Sequence, residues 1–155
     1  MAEPLIGVIS DTHGLLRPEA LRALAGVELI IHAGDVGGPG VLAALGRIAP
    51  VQAVRGNTDR GEFGASLPLS RVVELGGRRL CVLHELYALD LDPTAAGFAA
   101  VIFGHSHRPH QERKDGVLYL NPGSAGPRRF TLPVTMAKLR VGNHGLTAEF
   151  IELLK

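Results

Sequence analysis

A single cysteine, Cys81, stands in 155 residues. No internal disulfide can form, and a reducing, cytoplasmic setting is expected. Tryptophan is absent and aromatic residues make up only 5% of the chain, so an aliphatic core is expected. Excess charge is also missing. Sixteen Lys and Arg against 15 Asp and Glu leave a net charge of +1. That balance excludes a chain built to neutralise nucleic-acid backbones, so no specific nucleic-acid partner is expected, and it excludes an acidic disordered tail. Long apolar runs are lacking as well. The longest uncharged apolar stretch, around Ala95 to Gly104, falls well short of the ~20 residues of a membrane span. Met1-Ala2-Glu3-Pro4 has no basic region before its apolar run and does not read as a signal peptide. What is present is an ordinary globular balance, 46% hydrophobic and 20% charged. Neither an internal repeat nor a linker is visible. One domain over 1–155 is expected, long enough to bury about 70% of its unfolded surface.

Leu5 to Ser10, Val27 to Ala33 and Val51 to Arg55 are short, branched, apolar runs that read as buried strands. Pro18 to Ala25 and Pro39 to Leu45 lie between them and read as helices, each opened by its proline. Strands alternating with helices imply parallel pairing through right-handed crossovers. Further on, Ser70 to Leu75 and Arg79 to His84 flank Gly76-Gly77, a hairpin signal. Pro93 to Phe98 reads as a short helix, and Ala100 to Gly104 and Val117 to Leu120 as strands. Val134 to Val141 and Leu146 to Leu153 form a last hairpin. The expected fold is α/β: two packed sheets with helices outside, parallel in the first half and largely antiparallel in the second.

Polar residues collect just past the strands. Asp11 and His13 follow the first, Asp35 the second, and Asn57 and Asp59 the third. His84 ends a later strand, His105 and His107 follow the next, and Asn121 to Ser124 follow Val117 to Leu120. Open α/β sheets bind ligands outside the carboxyl ends of their strands. Residues two apart in extended chain point the same way, so Asp11 with His13, and His105 with His107, can each line one wall. Two carboxylates, one amide oxygen and four imidazoles exceed the needs of one tetrahedral zinc site. They suit two ions about 3.5–4 Å apart with one carboxylate between them. Oxygen and imidazole donors without thiolate point to Mn, Fe, Zn, Ni or Co.

Asp11-x-His13, Gly34-Asp35, Gly56-Asn57-x-Asp59, His84 and Gly104-His105-x-His107, in that order, resemble the calcineurin-like metallophosphoesterase superfamily. Length and spacing are most similar to its small, single-domain YfcE-like phosphodiesterase branch. The resemblance runs from Leu5 to about Leu153. It implies a two-sheet αββα sandwich of the metallophosphoesterase type. It further implies two divalent transition-metal ions, manganese first among them: one held by Asp11, His13, Asp35 and His107, the other by Asp35, Asn57, His84 and His105, with Asp35 bridging. The implied activity is hydrolysis of a small phosphodiester or nucleotide-like substrate by a hydroxide shared between the metals, with Asn57 and Asp59 as catalytic residues. A phosphomonoesterase is the nearest alternative, and a binding scaffold resembling a retromer subunit of the same fold is the rival from another class. A homo-oligomer is open.

Two positions depart from the family pattern. Larger members carry a His after the motif Asn as an acid for the leaving group, where this chain has Thr58, which has no useful pKa for that role. Leaving groups that depart without a proton are therefore expected. The small branch tends to write His-Gly-His where this chain has His84-Glu85-Leu86; Glu85 either brings negative charge near the metals, where it would repel an anionic substrate, or points to solvent. His32, inside an apolar strand, reads as a core histidine and Cys81 as a small core hydrophobe; Arg128-Arg129 read as a solvated pair. Gly38-Pro39-Gly40-Val41-Leu42-Ala43 fits a dinucleotide-binding fingerprint, but Asp35 interrupts the strand end and no second nucleotide-binding half follows. No phosphate-binding G-x-x-x-x-G-K-[ST] loop and no serine-hydrolase G-x-S-x-G elbow occurs.

Overall fold

Strand β1 (Leu5–Ile9) lies at the centre of a five-stranded sheet in the computed structural model, which describes residues 3–154. It pairs in parallel with β2 (Leu29–His32), and β2 with β3 (Val51–Ala53). On its other side β1 meets β9 (Thr135–Gly142) antiparallel, and β10 (Gly145–Glu152) closes that edge. The second sheet runs β4 (Ser70–Leu75), β5 (Arg78–Leu83), β6 (Ala100–Ile102), β8 (Val117–Pro122), β7 (Pro109–Lys114). Its centre is parallel, β5 to β6 to β8, with antiparallel strands only at its edges. The second half is largely antiparallel, as expected, and the two short parallel pairings β5 to β6 and β6 to β8 are its exceptions. Those two pairings are parallel because the segments joining β5 to β6 and β6 to β8 are crossovers rather than tight turns.

The period of two in each strand sorts the core into layers. Ile6, Val8, Ile31, Leu80, Val82, Ile102, Leu118, Leu120 and Leu139 face between the sheets and form one buried cluster. Their alternates Ile9 and Ile30 face outward, where helices α1 (Pro18–Ala23) and α2 (Pro39–Gly46) bury Ala20, Leu24, Val41 and Leu45 upon them. Each such aliphatic side chain contributes roughly 1.5–3 kcal/mol by leaving water. On the second sheet the outward alternates Cys81, Leu83, Val101 and Val117 are covered by Phe98 and Phe103, with Leu86 and Leu89 against them. That cover is a 3₁₀ turn (Leu86–Ala88) and loop rather than the outer helix of an αββα arrangement.

The helix expected over Pro93 to Phe98 is a set of turns. Ala96 N–H reaches Asp92 O and Phe98 N–H reaches Pro93 O, but Gly97 takes φ 80 and ends the coil so that Phe98 can enter the core. A short helix α3 (Gly61–Ala65) and the exposed edge strand β7 appear where no apolar periodicity announces them. No helix among the described residues is long and apolar enough to cross a membrane.

Candidate metal centre

The carboxyl ends of β1, β2 and β3 meet those of β5 and β6 at one rim. Past β1 the chain turns through Asp11 (φ 55) and His13 (φ 47). Asp35 (φ 55), His105 (φ 75) and His107 (φ 63) also lie in the left-handed region. L residues there cost roughly 1–2 kcal/mol each, and five such positions persist only where neighbouring bonds over-determine them. Here Asp11 N–H donates to Gly34 O (3.0 Å), His13 N–H to Asp35 O (2.9 Å) and Gly14 N–H to Val36 O (2.8 Å). Asp11 and His13 therefore share a direction through a left-handed turn, not through the extended chain that their spacing suggested.

The seven candidate ligands divide into two overlapping groups. Asp11 Oδ1 lies 3.5 Å from His107 Nε2 and 3.9 Å from His13 Nε2, and the two imidazole nitrogens are 3.4 Å apart. Asp35 Oδ2 lies 3.2 Å from His84 Nε2 and 3.7 Å from His13 Nε2. Asn57 Oδ1 sits 2.9 Å from His84 Nε2 and 3.1 Å from His105 Nδ1. Asp11 Oδ1 also comes within 3.8 Å of His84. Two sets of three, Asp11 with His13 and His107, and Asp11 with Asp35 and His84, have ligand spacing for an ion.

The chemistry of these donors fits a cation. His84 Nδ1–H donates to Ala33 O (2.8 Å), so Nε2 is left facing two oxygen acceptors. Buried Asp11 Oδ1 and His107 Nδ1 have no hydrogen-bond partner. Converging acceptors repel unless protons or a positive ion lie among them. Protonation follows the same logic. Burial opposes charge on His84, but the bond to Asp35 and the charges of Asp11 and Asp35 outweigh it and raise its pKa. Burial likewise works against ionised Asp35, yet hydrogen bonds from His84 and from the Thr58 N–H (2.8 Å) hold its carboxyl well below the usual range. Burial raises Asp11, with the Asp35 charge adding to it. Burial, then the charge of Arg129, pushes His107 down to about 4. Arg128 and Arg129 are exposed, as the solvated reading expected, and the charge of Arg129 still acts on His107.

Asp59 does not join the converging donors. Its Oδ2 accepts from the N–H groups of Gly56 (2.9 Å) and Val36 (3.2 Å), and its Oδ1 from that of Gly37 (3.1 Å). It ties the loop of Asp35 to the loop of Asn57 and is a positioning residue rather than a catalytic one. His32 is fully buried and neutral, with its pKa pushed down to about 3, chiefly by burial. Gly34 N–H donates to its Nδ1 (3.1 Å), so its Nε2–H faces Thr12 Oγ1 (2.9 Å), which donates to Val36 O (2.7 Å). Sequence reasoning missed three further supports. Ser10 Oγ donates to Asp11 Oδ2 (2.8 Å), Asn121 Nδ2 donates to Gly104 O (3.0 Å), and Ser124 Oγ donates to Asp11 O (3.0 Å). The carboxyl-end position of Asn121 was the one signal for them. Glu85 Oε1 stands 3.8 Å from His105 Nδ1.

The family model of the calcineurin-like phosphoesterase superfamily domain matches residues 5–144. The chain belongs to that superfamily, as the order of its five motif blocks suggested. It is 40% identical over 162 residues to a probable metallophosphoesterase of Methanothermobacter thermautotrophicus, covering 95% of this chain and 91% of the relative. Among solved structures it is similar to an archaeal phosphodiesterase, with a TM-score of 0.78, 25% identity, and 95% and 99% of the two chains covered. Vps29 of Chaetomium thermophilum shares the fold, with a TM-score of 0.75, 21% identity, and 96% and 97% covered.

Proposed function

We propose that this protein is a metal-dependent phosphodiesterase acting on a small phosphodiester. The observation that carries the reading is the convergence of His84 Nε2 on the oxygens of Asp35 (3.2 Å) and Asn57 (2.9 Å), beside a buried Asp11 Oδ1 and a buried His107 Nδ1 that have no hydrogen-bond partner. Around His84, Asp11, His13, Asp35, Asn57, His105 and His107 bring oxygen and imidazole ligand atoms each to within 4 Å of at least one other. In the reading we adopt, Asp11, His13, Asp35 and His107 hold one divalent ion, and Asp35, Asn57, His84 and His105 hold a second. When bound, such ions supply Lewis-acid charge that activates water and offsets charge developing on the phosphoryl oxygens. The protein's own part is to keep the ligands fixed. Asp59, Ser10, Asn121 and the His32–Thr12 pair hold the loops, and the left-handed backbone at five ligands leaves them little freedom to rearrange.

Both Asp11 and Asp35 face both halves of the site. We assign the bridge to Asp35, because its Oδ2 approaches an imidazole of each half while its Oδ1 is already fixed by Thr58 N–H. A diester is favoured over a monoester by Glu85, which adds negative charge beside His105 and disfavours a dianion more than a monoanion. Complete ligation disfavours the scaffold reading.

The test is hydrolysis of bis(p-nitrophenyl) phosphate and of p-nitrophenyl phosphate by chelator-stripped protein, with and without Mn²⁺, Ni²⁺, Co²⁺ or Zn²⁺. Metal-restored turnover that favours the diester is the expected result. Equal turnover without metal, or none with any metal, refutes the proposal.

A further inference from the structure

Beside Asn57 and His84 a cavity of about 300 Å³ opens to the surface. Nothing in the metal chemistry requires it. Its apolar lining is Leu69, Leu83 and Ala88, and its charged lining is Arg55, Glu85 and Asp90. Leu69 is 66% exposed at its mouth. It is held at the mouth because Arg55 draws the preceding segment in: its backbone N–H donates to Pro68 O (2.8 Å) and its Nε to Leu67 O (3.3 Å). The rest of the guanidinium makes no ion pair among the described residues, nor does Asp90, and Glu85 has the imidazole of His105 at 3.8 Å and the Tyr87 hydroxyl beside it. The cavity thus combines apolar walls, a cationic donor and two anionic acceptors within one small volume.

We infer that this cavity is the subsite for one ester arm of the phosphodiester, and that the arm is a nucleoside. The inference rests on the phosphodiesterase reading for its phosphate, but on the cavity alone for its arm. Charge decides the class. An anionic arm, such as a second phosphate, meets two carboxylates against one guanidinium. A quaternary or primary ammonium arm is drawn by Glu85 and Asp90 but leaves the Arg55 guanidinium without an acceptor and finds no Phe, Tyr or Trp side chain in the lining. A plain alkyl or aryl arm would bury against the aliphatic walls but leave three charged groups to be stripped of water for nothing. A neutral base has apolar faces and an edge that both gives and accepts hydrogen bonds. Carboxylates accept from ring N–H and amino groups, and a guanidinium donates to ring nitrogen and carbonyl oxygen, as they do when side chains read base edges. The volume is at the lower end for small-molecule pockets, large enough for one base with its sugar and too small for a dinucleotide.

Two measurements separate the arm from the reaction. The first compares metal-loaded hydrolysis of thymidine 5′-(p-nitrophenyl phosphate) with methyl p-nitrophenyl phosphate, in the wild type and in Ala88→Phe, which narrows the cavity. The expected wild-type preference in kcat/KM is about tenfold or more, the equivalent of one or two hydrogen bonds. In Ala88→Phe the ratio falls toward one, with the fold checked by circular dichroism. The second measures saturation-transfer NMR of free adenosine, guanosine, cytidine and thymidine with the metal-free protein. Contact is expected in the wild type and lost in Ala88→Phe. Nucleoside contact without hydrolysis of either diester would uphold the subsite and sink the phosphodiesterase reading. Hydrolysis of both diesters at equal efficiency, absence of nucleoside contact, or a preference that survives Ala88→Phe would sink the subsite.

Discussion

Asp59 is the residue whose removal gives the sharpest energetic reading of how this site is held. Its carboxylate serves three backbone N–H groups, of which those of Val36 and Gly56 belong to buried residues while Gly37 is exposed. In Asp59→Ala water can replace the bond to Gly37, but the donors of Val36 and Gly56 are stranded. At ~1–3 kcal/mol for each buried unsatisfied donor, the cost is about 4 kcal/mol. In Asp59→Asn the amide oxygen can keep the two buried donors and turn its NH₂ toward exposed Gly37, for a cost of about 1 kcal/mol. The difference converts to a melting temperature roughly 6–12 °C lower for the alanine than for the asparagine variant. Urea unfolding of chelator-stripped protein measures it without the stabilisation that bound metal would add. Metal affinity is expected to fall in the same order, because the two loops joined by Asp59 carry Asp35 and Asn57. Equal midpoints for Asn and Ala, or an alanine variant within about 0.5 kcal/mol of wild type, would refute the reasoning.

His32 remains neutral in the folded protein down to about pH 3 but takes up a proton in the unfolded chain near its ordinary pKa. Unfolding therefore binds a proton below that value, and stability falls by about 1 kcal/mol between pH 6 and pH 5 on this account alone. His32→Asn, compared with wild type by urea midpoint at both pH values, is expected to lack that increment; an unchanged increment assigns it elsewhere. A Cβ on Gly56 would collide with the backbone nitrogen and Oδ1 of Asp35, so Gly56→Ala is expected to weaken divalent-metal binding at least tenfold by isothermal titration, and wild-type affinity would contradict this. Asp35→Asn is expected to lose both ions and Asp11→Asn to retain one, as counted by elemental analysis after equilibrium dialysis. The reverse pattern would move the bridge to Asp11.

The ligand set was legible because each candidate follows a short apolar strand whose period is plain, so parallel topology carries Asp11, Asp35, Asn57, His84 and His105 to one rim. Less legible was whatever depends on partners remote in sequence. Ser10, Asn121 and Ser124 look like ordinary turn residues, and their work lies in bonds to Asp11 and Gly104. Asp59 stood among the catalytic residues because it closes the Gly56-Asn57-x-Asp59 motif; only the fold shows three backbone donors around it. Strand β7 escaped because Pro109–Lys114 has no apolar alternation, five of its six residues being exposed, and pairing with β8 alone defines it. Helix α3 escaped because Gly61 and Gly64 lower its helical propensity; the close approach of Gly64 to the Asp59 carbonyl explains the second glycine. Asp and His are enriched among the non-glycine residues that take left-handed backbone, but residue type alone does not single out Asp11, His13, Asp35, His105 and His107 from the chain's other Asp and His. The conformation is imposed by the bonds between loops.

The central claim is that the converging donors hold divalent metal and that phosphodiester hydrolysis depends on it. The most direct test titrates Mn²⁺ into chelator-stripped protein while bound metal and bis(p-nitrophenyl) phosphate turnover are measured in the same samples. The account predicts two ions bound per chain, turnover that rises only as the second binds, and neither in Asp35→Asn. Turnover that is full before metal is added, or full at one ion per chain, would contradict it.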